Sequence, residues 1–307
     1  MTLEIQAARQ QGRPVRSHPI GAETERRFQR LKYILLEMSP LAVAFSGGID
    51  SALLLKVSCD TLGLDRVVAF TAQSELSPGH EIEDAARLAG AWGARHIVLE
   101  AHDLDDTEFT ANMKNRCYIC KQRRFSLILE HARPLGIHCL AHGENVDDAL
   151  DFRPGSLAAR ELGVRSPLRE AGLGKTDIRT LAEWLHIDIW NKPSSACLAS
   201  RIPWGSPITA EKLRQIDQAE SYLRRLGIAR QIRVRHDGQT ARVEVEQEGI
   251  VRIAQPDILP KVLVELKRLG FSRFLLDLQG YRTGSLNAEG SDENGLTSWQ
   301  WGEEASR

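Results

Sequence analysis

Several things are scarce or missing from this chain, and each absence narrows what it can be. Its 307 residues carry 40 Lys and Arg against 41 Asp and Glu, a formal net charge of −1. No global excess of positive charge draws it to nucleic acid or to an anionic membrane, so only local basic patches remain. No apolar run approaches the roughly 20 residues of a membrane span. The opening MTLEIQAARQQGRPVRSHP lacks the apolar core of a signal peptide, and the expected location is the cytoplasm. Cysteine is scarce and odd in number, at five. In a reducing compartment that argues against a disulfide framework and for metal binding or catalysis by any clustered thiols. There is no internal repeat and no glutaminase-like segment, and the balanced charge argues against a tRNA enzyme, which should show a strongly basic surface or an added RNA-binding module.

What is present suits a globular enzyme. The hydrophobic content of 42% supports a real core, and the length exceeds one average domain without reaching three. Residues 1–21 read as a loose extension, and a polar helix follows over 22–38. Short apolar strands (41–45, 66–72, 95–101, 136–143) then alternate with helical segments, one of them over 120–132. That alternation predicts an α/β fold, a doubly wound parallel sheet over 22–203 with its functional loops at the carboxyl ends of the strands. Beyond Pro203 the pattern changes to helix, two strands around a turn at His236-Asp237-Gly238, helix and strand. This predicts a smaller α+β domain over 204–285 for substrate binding or oligomerisation. From 286 to 307 the chain turns polar and acidic, and disorder is expected.

The stretch VAFSGGIDSALLL carries the sharpest signal. Ser46-Gly47-Gly48 ends an apolar strand and Ile49-Asp50-Ser51 opens an apolar helix. Glycines let backbone approach an anion with no Cβ in the way, and helix N-terminal amides point at its oxygens. Ser46 and Ser51 can add hydroxyl donors. Asp50 makes sense beside phosphate only with a magnesium ion between them. The loop lacks the G-K-[ST] of a Walker motif. It resembles the PP-loop of ATP pyrophosphatases, which implies adenylation rather than γ-phosphoryl transfer.

Of the cysteines, Cys59 and Cys139 fall inside a helix and a strand and read as small core residues. Cys117 and Cys120 form a C-x-x-C in NRCYICKQRR, where Arg116, Lys121, Arg123 and Arg124 are expected to favour thiolates. Cys197 lies in a loop fenced by Pro193 and Pro203, four residues before Arg201. A C-x-x-C alone fits a redox pair, half a zinc site or chance. Three thiolates leave one metal position open, which suits a catalytic iron–sulfur cluster better than structural zinc.

Taken together and in order, AFSGGIDS, RCYICK, DFRPG, LGVRSPL and KPSSACLASRIPWG resemble the LarE family over about residues 25–285. These are pyridinium-3,5-biscarboxylic acid mononucleotide sulfurtransferases that serve nickel-pincer nucleotide synthesis. The resemblance implies that ATP, with Mg²⁺, adenylates a substrate carboxylate and that a sulfur nucleophile displaces AMP. In members with only the ACLASR cysteine, that residue gives up its own sulfur. In members that also carry the C-x-x-C, three cysteines hold a [4Fe-4S] cluster whose open iron carries a transferable hydrosulfide. Cys117, Cys120 and Cys197 match the cluster type, which implies a sulfide source as partner. The family also implies a hexamer. The expected catalytic residues are Asp50, Cys197 and Arg201.

On QIRVRHD, Ile232 and Val234 face a core by alternation, so Arg233 and Arg235 share the opposite face. Two adjacent guanidiniums call for an anion between them, and the resemblance assigns them the phosphate of the nucleotide substrate. Arg242 and Glu244 share a phase across the turn. Gly143 is expected to allow close approach of the nucleotide, and Asp148, Asp151 and Arg153 to bind metal or adenylate, or to sit in a solvated loop. Glu144 departs from the Thr expected in many PP-loop relatives. Lys175 reads as a phosphate contact or an exposed helix-start lysine. The competing readings are another PP-loop enzyme (a tRNA thiolase or an amidating synthetase) and a nucleotide sensor without catalysis.

Overall fold

The computed structural model describes residues 20–150, 154–192 and 196–282. The acidic tail and almost all of the N-terminal extension fall outside them, as do Asp151 and Arg153. The elements run α1 (Ala22–Leu36), β1 (Leu41–Ala44), α2 (Ile49–Leu62), β2 (Val67–Gln73), α3 (Gly79–Ala91), β3 (Arg95–Glu100), α4 (Thr107–Thr110) and α5 (Arg116–Ala132). Then come β4 (Cys139–His142), α6 (Pro154–Glu161), α7 (Pro167–Glu170) and α8 (Lys175–Trp184).

The first four strands pair in parallel in the order β3-β2-β1-β4. Strand alternation splits the core into two layers. Leu41, Val43, Val67 and Ala69 face α1, α2 and α8, where Leu31, Leu53 and Leu181 are wholly buried. Ala42, Val68, Phe70 and Leu140 face α5 and α6, against Phe125, Ile128 and Ala159. Helices on both faces make this the doubly wound arrangement read from the sequence. The helix α2 is buried on nearly every side, which is why its sequence is apolar without a stripe.

The second sheet is built from β5 (Ile232–Asp237), β6 (Thr240–Val245) and β7 (Arg273–Leu276), with α9 (Ala210–Arg225), α10 (Gln247–Ile253) and α11 (Leu259–Arg268). β5 and β6 are antiparallel, and β7 runs parallel to β6. Ile232, Val234, Ala241 and Val243 bury against Leu223, Val262 and Leu266. The hairpin turn is not at His236-Asp237-Gly238. His236 pairs with Ala241 and Asp237 with Thr240, which leaves Gly238-Gln239 as the turn. Gly238 has φ 63°, the positive value a two-residue hairpin turn favours. The helix α5 starts at Arg116 rather than near Cys120, which places both cysteines of the C-x-x-C on its first turn.

A fourth apolar group joins the two halves. Leu76, Phe109 and Ile119 from the first pack with Leu198, Ile202, Ile208, Leu213 and Ile216. No helix among the described residues is long and apolar enough to cross a membrane.

Candidate active site

The glycine loop sits at the carboxyl end of β1, a central strand, where an open parallel sheet binds ligands. Gly47 has φ 71°, and a Cβ there would lie 3.1 Å from the Ala85 Cβ of α3. Gly48 is the N-cap of α2, with extended backbone. The amides of the first helical turn have no partner within the helix, and they open the anion-binding end of its dipole. The serine hydroxyls, expected to be able to donate to a phosphate, also bond within the loop. Ser51 Oγ donates to Gly48 O at 3.0 Å, accepts Ser46 N at 3.2 Å and lies 3.1 Å from Ser46 Oγ. These bonds shape the nest, whose main-chain amides face the anion-binding end of the helix.

Gly143 also meets the loop itself. A Cβ there would stand 2.8 Å from Ser51 N and 3.0 Å from the Asp50 carbonyl carbon. The glycine lets the end of β4 press on the backbone of the loop.

Asp50, on the first turn of α2, accepts Lys175 Nζ at 2.6 Å and lies 3.4 Å from Asn145 Nδ2. Asn145 is fully buried; it donates Nδ2 at 2.9 Å and its backbone N–H at 3.1 Å to Asp148 Oδ2. Burial holds the Asp50 carboxyl above its usual range and Asp148 adds to this, against the opposing pull of Lys175. Two neighbouring carboxylates tied by one amide and relieved by one ammonium suit a Mg²⁺ ion, which takes one or two carboxylates plus phosphate oxygens. Lys175, read as ambiguous, is part of this group. Asn145 was missed, since an asparagine after a strand gives no pattern.

Behind this group lies Glu144. Against the raising effect of burial, hydrogen bonds from His142 and Ser156 and the charge of Arg169 hold its carboxyl down at about 2. Ser156 Oγ and Arg169 Nη1 each donate to its Oε1 at 2.9 Å. This buried network fixes the loop after β4 to α6 and α7.

Cys197 sits just past the carboxyl end of β2, near enough to the cysteine pair for its charge to act on both. Cys197 is exposed and caps the short 3₁₀ turn Leu198–Arg201, whose Leu198 N donates to Leu76 O at 2.9 Å, just past β2. Cys117 is exposed and Cys120 half-buried. The three sulfurs lie within electrostatic reach of one another, because Cys197 charge helps to raise both Cys117 and Cys120. Nearby cations act on the thiols in the expected direction, Arg116 and Lys121 on Cys117 and Arg124 on Cys120, but burial outweighs them: it raises the Cys117 thiol and pushes the Cys120 thiol up to about 12. Two of the arginines are also held by carboxylates, Arg123 by Asp106 and Arg124 by Asp103 at 2.7 Å, and Arg124 donates to Ser74 Oγ at 2.6 Å. Among the described residues, no group of three His, Cys, Asp or Glu side chains is arranged to hold a metal ion. The fit to an iron–sulfur cluster is in the donor chemistry: three thiols from two segments, the charge of Cys197 disfavouring ionisation of Cys117 and Cys120, a repulsion that a polycationic cluster would relieve.

Arg201 is 1% exposed and grips Glu220 of α9 through Nε at 2.8 Å and Nη2 at 2.9 Å. Its Nη1 donates to Ala196 O at 2.6 Å and to Cys197 O at 3.0 Å. The guanidinium therefore holds the cysteine turn from behind. Glu220, which carries no sequence signal of its own, also accepts Val234 N at 3.0 Å on the edge of β5.

Arg233 and Arg235 do share a face, and both are buried. The face is not solvated. Arg235 donates Nε and Nη2 to Glu244 at 3.0 and 2.8 Å, and Nη1 to Ser200 O at 2.8 Å. Glu244 thus supplies one anion that the sequence led us to expect from a ligand. Arg233 stacks on the Tyr281 ring at 5.2 Å, and burial followed by Arg201 pushes its guanidinium down from the usual range. Arg201, Arg233 and Arg235 thus lie on adjoining segments next to the Cys197 turn, with Glu220 and Glu244 paired to two of them.

No protein-family model matches the chain. It is 39% identical to an uncharacterized protein of Synechocystis sp. over 86% of this chain and 97% of that one. It is 38% identical to the pyridinium-3,5-bisthiocarboxylic acid mononucleotide synthase of Lactiplantibacillus plantarum, over 82% of this chain and 91% of the relative. A tRNA-specific 2-thiouridylase of Parvibaculum lavamentivorans is 29% identical over 58% of this chain and 53% of its own length. The last likeness is partial, whereas the synthase aligns almost end to end with a chain that presents the PP-loop nest and the Cys197 turn on one edge of the sheet. The chain belongs to the LarE family of PP-loop, sulfur-inserting synthases.

Proposed function

We propose that this enzyme adenylates a carboxylate of pyridinium-3,5-biscarboxylic acid mononucleotide and replaces the adenylate by sulfur, giving the thiocarboxylate. What supports the reading is a glycine loop suited to an anion at the end of β1 and, just past β2, a cysteine turn whose charge acts on the C-x-x-C pair. A carboxylate is a poor electrophile, and AMP is a good leaving group. Adenylation must therefore come before sulfur attack, and the two steps need separate machinery.

In the first step the amides around Gly47–Ser51 orient the phosphates, so that the substrate carboxylate oxygen attacks the α-phosphorus and pyrophosphate departs. Asp50 and Asp148 would hold Mg²⁺, which supplies charge neutralisation at the phosphates. Lys175 occupies Asp50 in the free enzyme and lies within reach of the same phosphates. In the second step a sulfur nucleophile bonds to the acyl carbon, the bond from that carbon to the adenylate oxygen breaks, and AMP leaves. Cys117, Cys120 and Cys197 would hold a [4Fe-4S] cluster, whose chemistry is to supply the transferred sulfur while the polypeptide keeps its own. Arg201 fixes the Cys197 turn, and Arg233 with Arg235 lies where the substrate phosphate can add to Glu244 as a counter-anion.

The test is ATP–pyrophosphate exchange that depends on the pyridinium dicarboxylate mononucleotide. Cys197→Ala should keep this exchange and lose thiocarboxylate formation; loss of both would reject the division of roles. Anaerobic protein should be brown, with about four irons per chain. A colourless protein whose mass falls by one sulfur atom after turnover would instead make Cys197 a sacrificial donor.

A further inference from the structure

The segment between α4 and α5 contains Asn112, one of two non-glycine described residues with positive φ, at 58°. It is fully buried. Its Nδ2 lies 3.3, 2.7 and 2.8 Å from the carbonyls of Ile202, Pro203 and Ser206, and its own carbonyl accepts Gly205 N at 3.0 Å. Its Oδ1 accepts Arg116 Nη1, which reaches on to Ala199 O at 3.0 Å. Arg116 directly precedes Cys117, and Ala199 is two residues past Cys197. One chain of side-chain hydrogen bonds therefore spans the two cysteine-bearing segments, which are about eighty residues apart in sequence.

The chemistry of this bridge is unusual for mere packing. Arg116 is buried, yet besides the Cys117 thiol its hydrogen-bond partners are amide and carbonyl oxygens rather than a carboxylate, and its Nε has no hydrogen-bond partner. A buried guanidinium so placed is costly, and an apolar side chain of similar volume would hold two segments together more cheaply. What the arginine adds is direction: its planar fork fixes the angle as well as the distance between α5 and the 198–201 turn. The left-handed Asn112 aims that fork.

We propose that Asn112 and Arg116 are positioning residues that set the spacing of Cys197 from Cys117 and Cys120 for sulfur delivery. Neither touches the substrate. The inference rests on the reading that these three thiols handle the transferred sulfur, but its test does not pass through turnover.

The metal-free full chain is oxidised with diamide, which takes two thiol hydrogens and becomes a hydrazine as each disulfide forms. Peptide mapping then gives the share of disulfides that contain Cys197. Asn112→Gly keeps the backbone angle and removes the clamp; Arg116→Lys keeps the charge and removes the fork. Each should lower the Cys197-containing share by about tenfold to a hundredfold relative to the Cys117–Cys120 bond, since misplacement by about an ångström can cost positioned groups on the order of a hundredfold. ATP–pyrophosphate exchange should persist in folded protein. If Asn112→Gly does not fold, Arg116→Lys decides. An unchanged share in the folded variants overturns the proposal, and so does a wild-type chain that forms no Cys197-containing disulfide. A wild-type chain that lacks substrate-dependent exchange but shows the expected disulfide shift overturns the functional reading alone.

Discussion

Removing the Glu220 charge separates what the buried pair does for stability from what it does for chemistry. The side chains of Arg201 and Glu220 are 1% and 2% exposed, and Glu220 takes three hydrogen bonds, two from Arg201 and one from Val234 N. Glu220→Gln leaves a guanidinium in the interior without its counter-charge, a loss of about 3–5 kcal/mol. For a chain of this size each kcal/mol moves the melting temperature by about 2–4 °C, so Glu220→Gln should melt roughly 6–20 °C lower. The double variant Arg201→Met with Glu220→Leu removes both charges and fills the space, and should recover to within about 2 kcal/mol of the parent. It should not recover sulfur transfer, because the carbonyls of Ala196 and Cys197 lose the donor that holds the cysteine turn. Calorimetry and a thiocarboxylate assay on the same preparations read both quantities. A shift below about 1 kcal/mol for Glu220→Gln, or full sulfur transfer in the double variant, would refute the reasoning.

Three further outcomes follow from the same geometry. Lys175→Met removes the cation that lowers Asp50, so the Asp50 carboxyl should titrate at higher pH by carbon NMR and exchange should slow about tenfold or more; an unmoved titration contradicts the ion pair. Gly143→Ala drives a Cβ to within 2.8 Å of Ser51 N, a backbone atom. Urea melts should show a loss of about 1–3 kcal/mol with weakened ATP binding, and a variant normal in both would show that the β4 end does not brace the nest. Glu144 is held at about 2 in the folded protein against 4.5 for an ordinary glutamate, so its contribution is complete above pH 4.5 and disappears as pH falls towards 2. Acid should therefore destabilise the parent more steeply than Glu144→Gln across that window, and parallel curves would count against the network.

Much of this site was legible because it follows periodic or local rules. Ser46-Gly47-Gly48 between an apolar strand and an apolar helix announces a nest whatever the rest of the fold, and alternation alone put Arg233 and Arg235 on one face of β5. What was not legible is pairing across distance. Lys175 meets Asp50 over 125 residues, and Glu244 answers Arg235 only once β5 and β6 are in register. The cations around the C-x-x-C were visible, but not the Asp103 and Asp106 that engage two of them. The press of Gly143 on the Ser51 backbone was not foreseen either, since a sequence shows that a side chain is missing and not what fills the space.

The apolar group that joins Leu76, Phe109 and Ile119 to Leu198, Ile202, Ile208, Leu213 and Ile216 carries a practical consequence for anyone dissecting the molecule. A chain cut after Pro203 would strip Leu76, Phe109 and Ile119 of Ile208, Leu213 and Ile216, and would also take Glu220 away from Arg201. The nucleotide half expressed alone should thus be a sticky fragment, and the cysteine turn cannot be grafted onto another scaffold without the first helix of the smaller half.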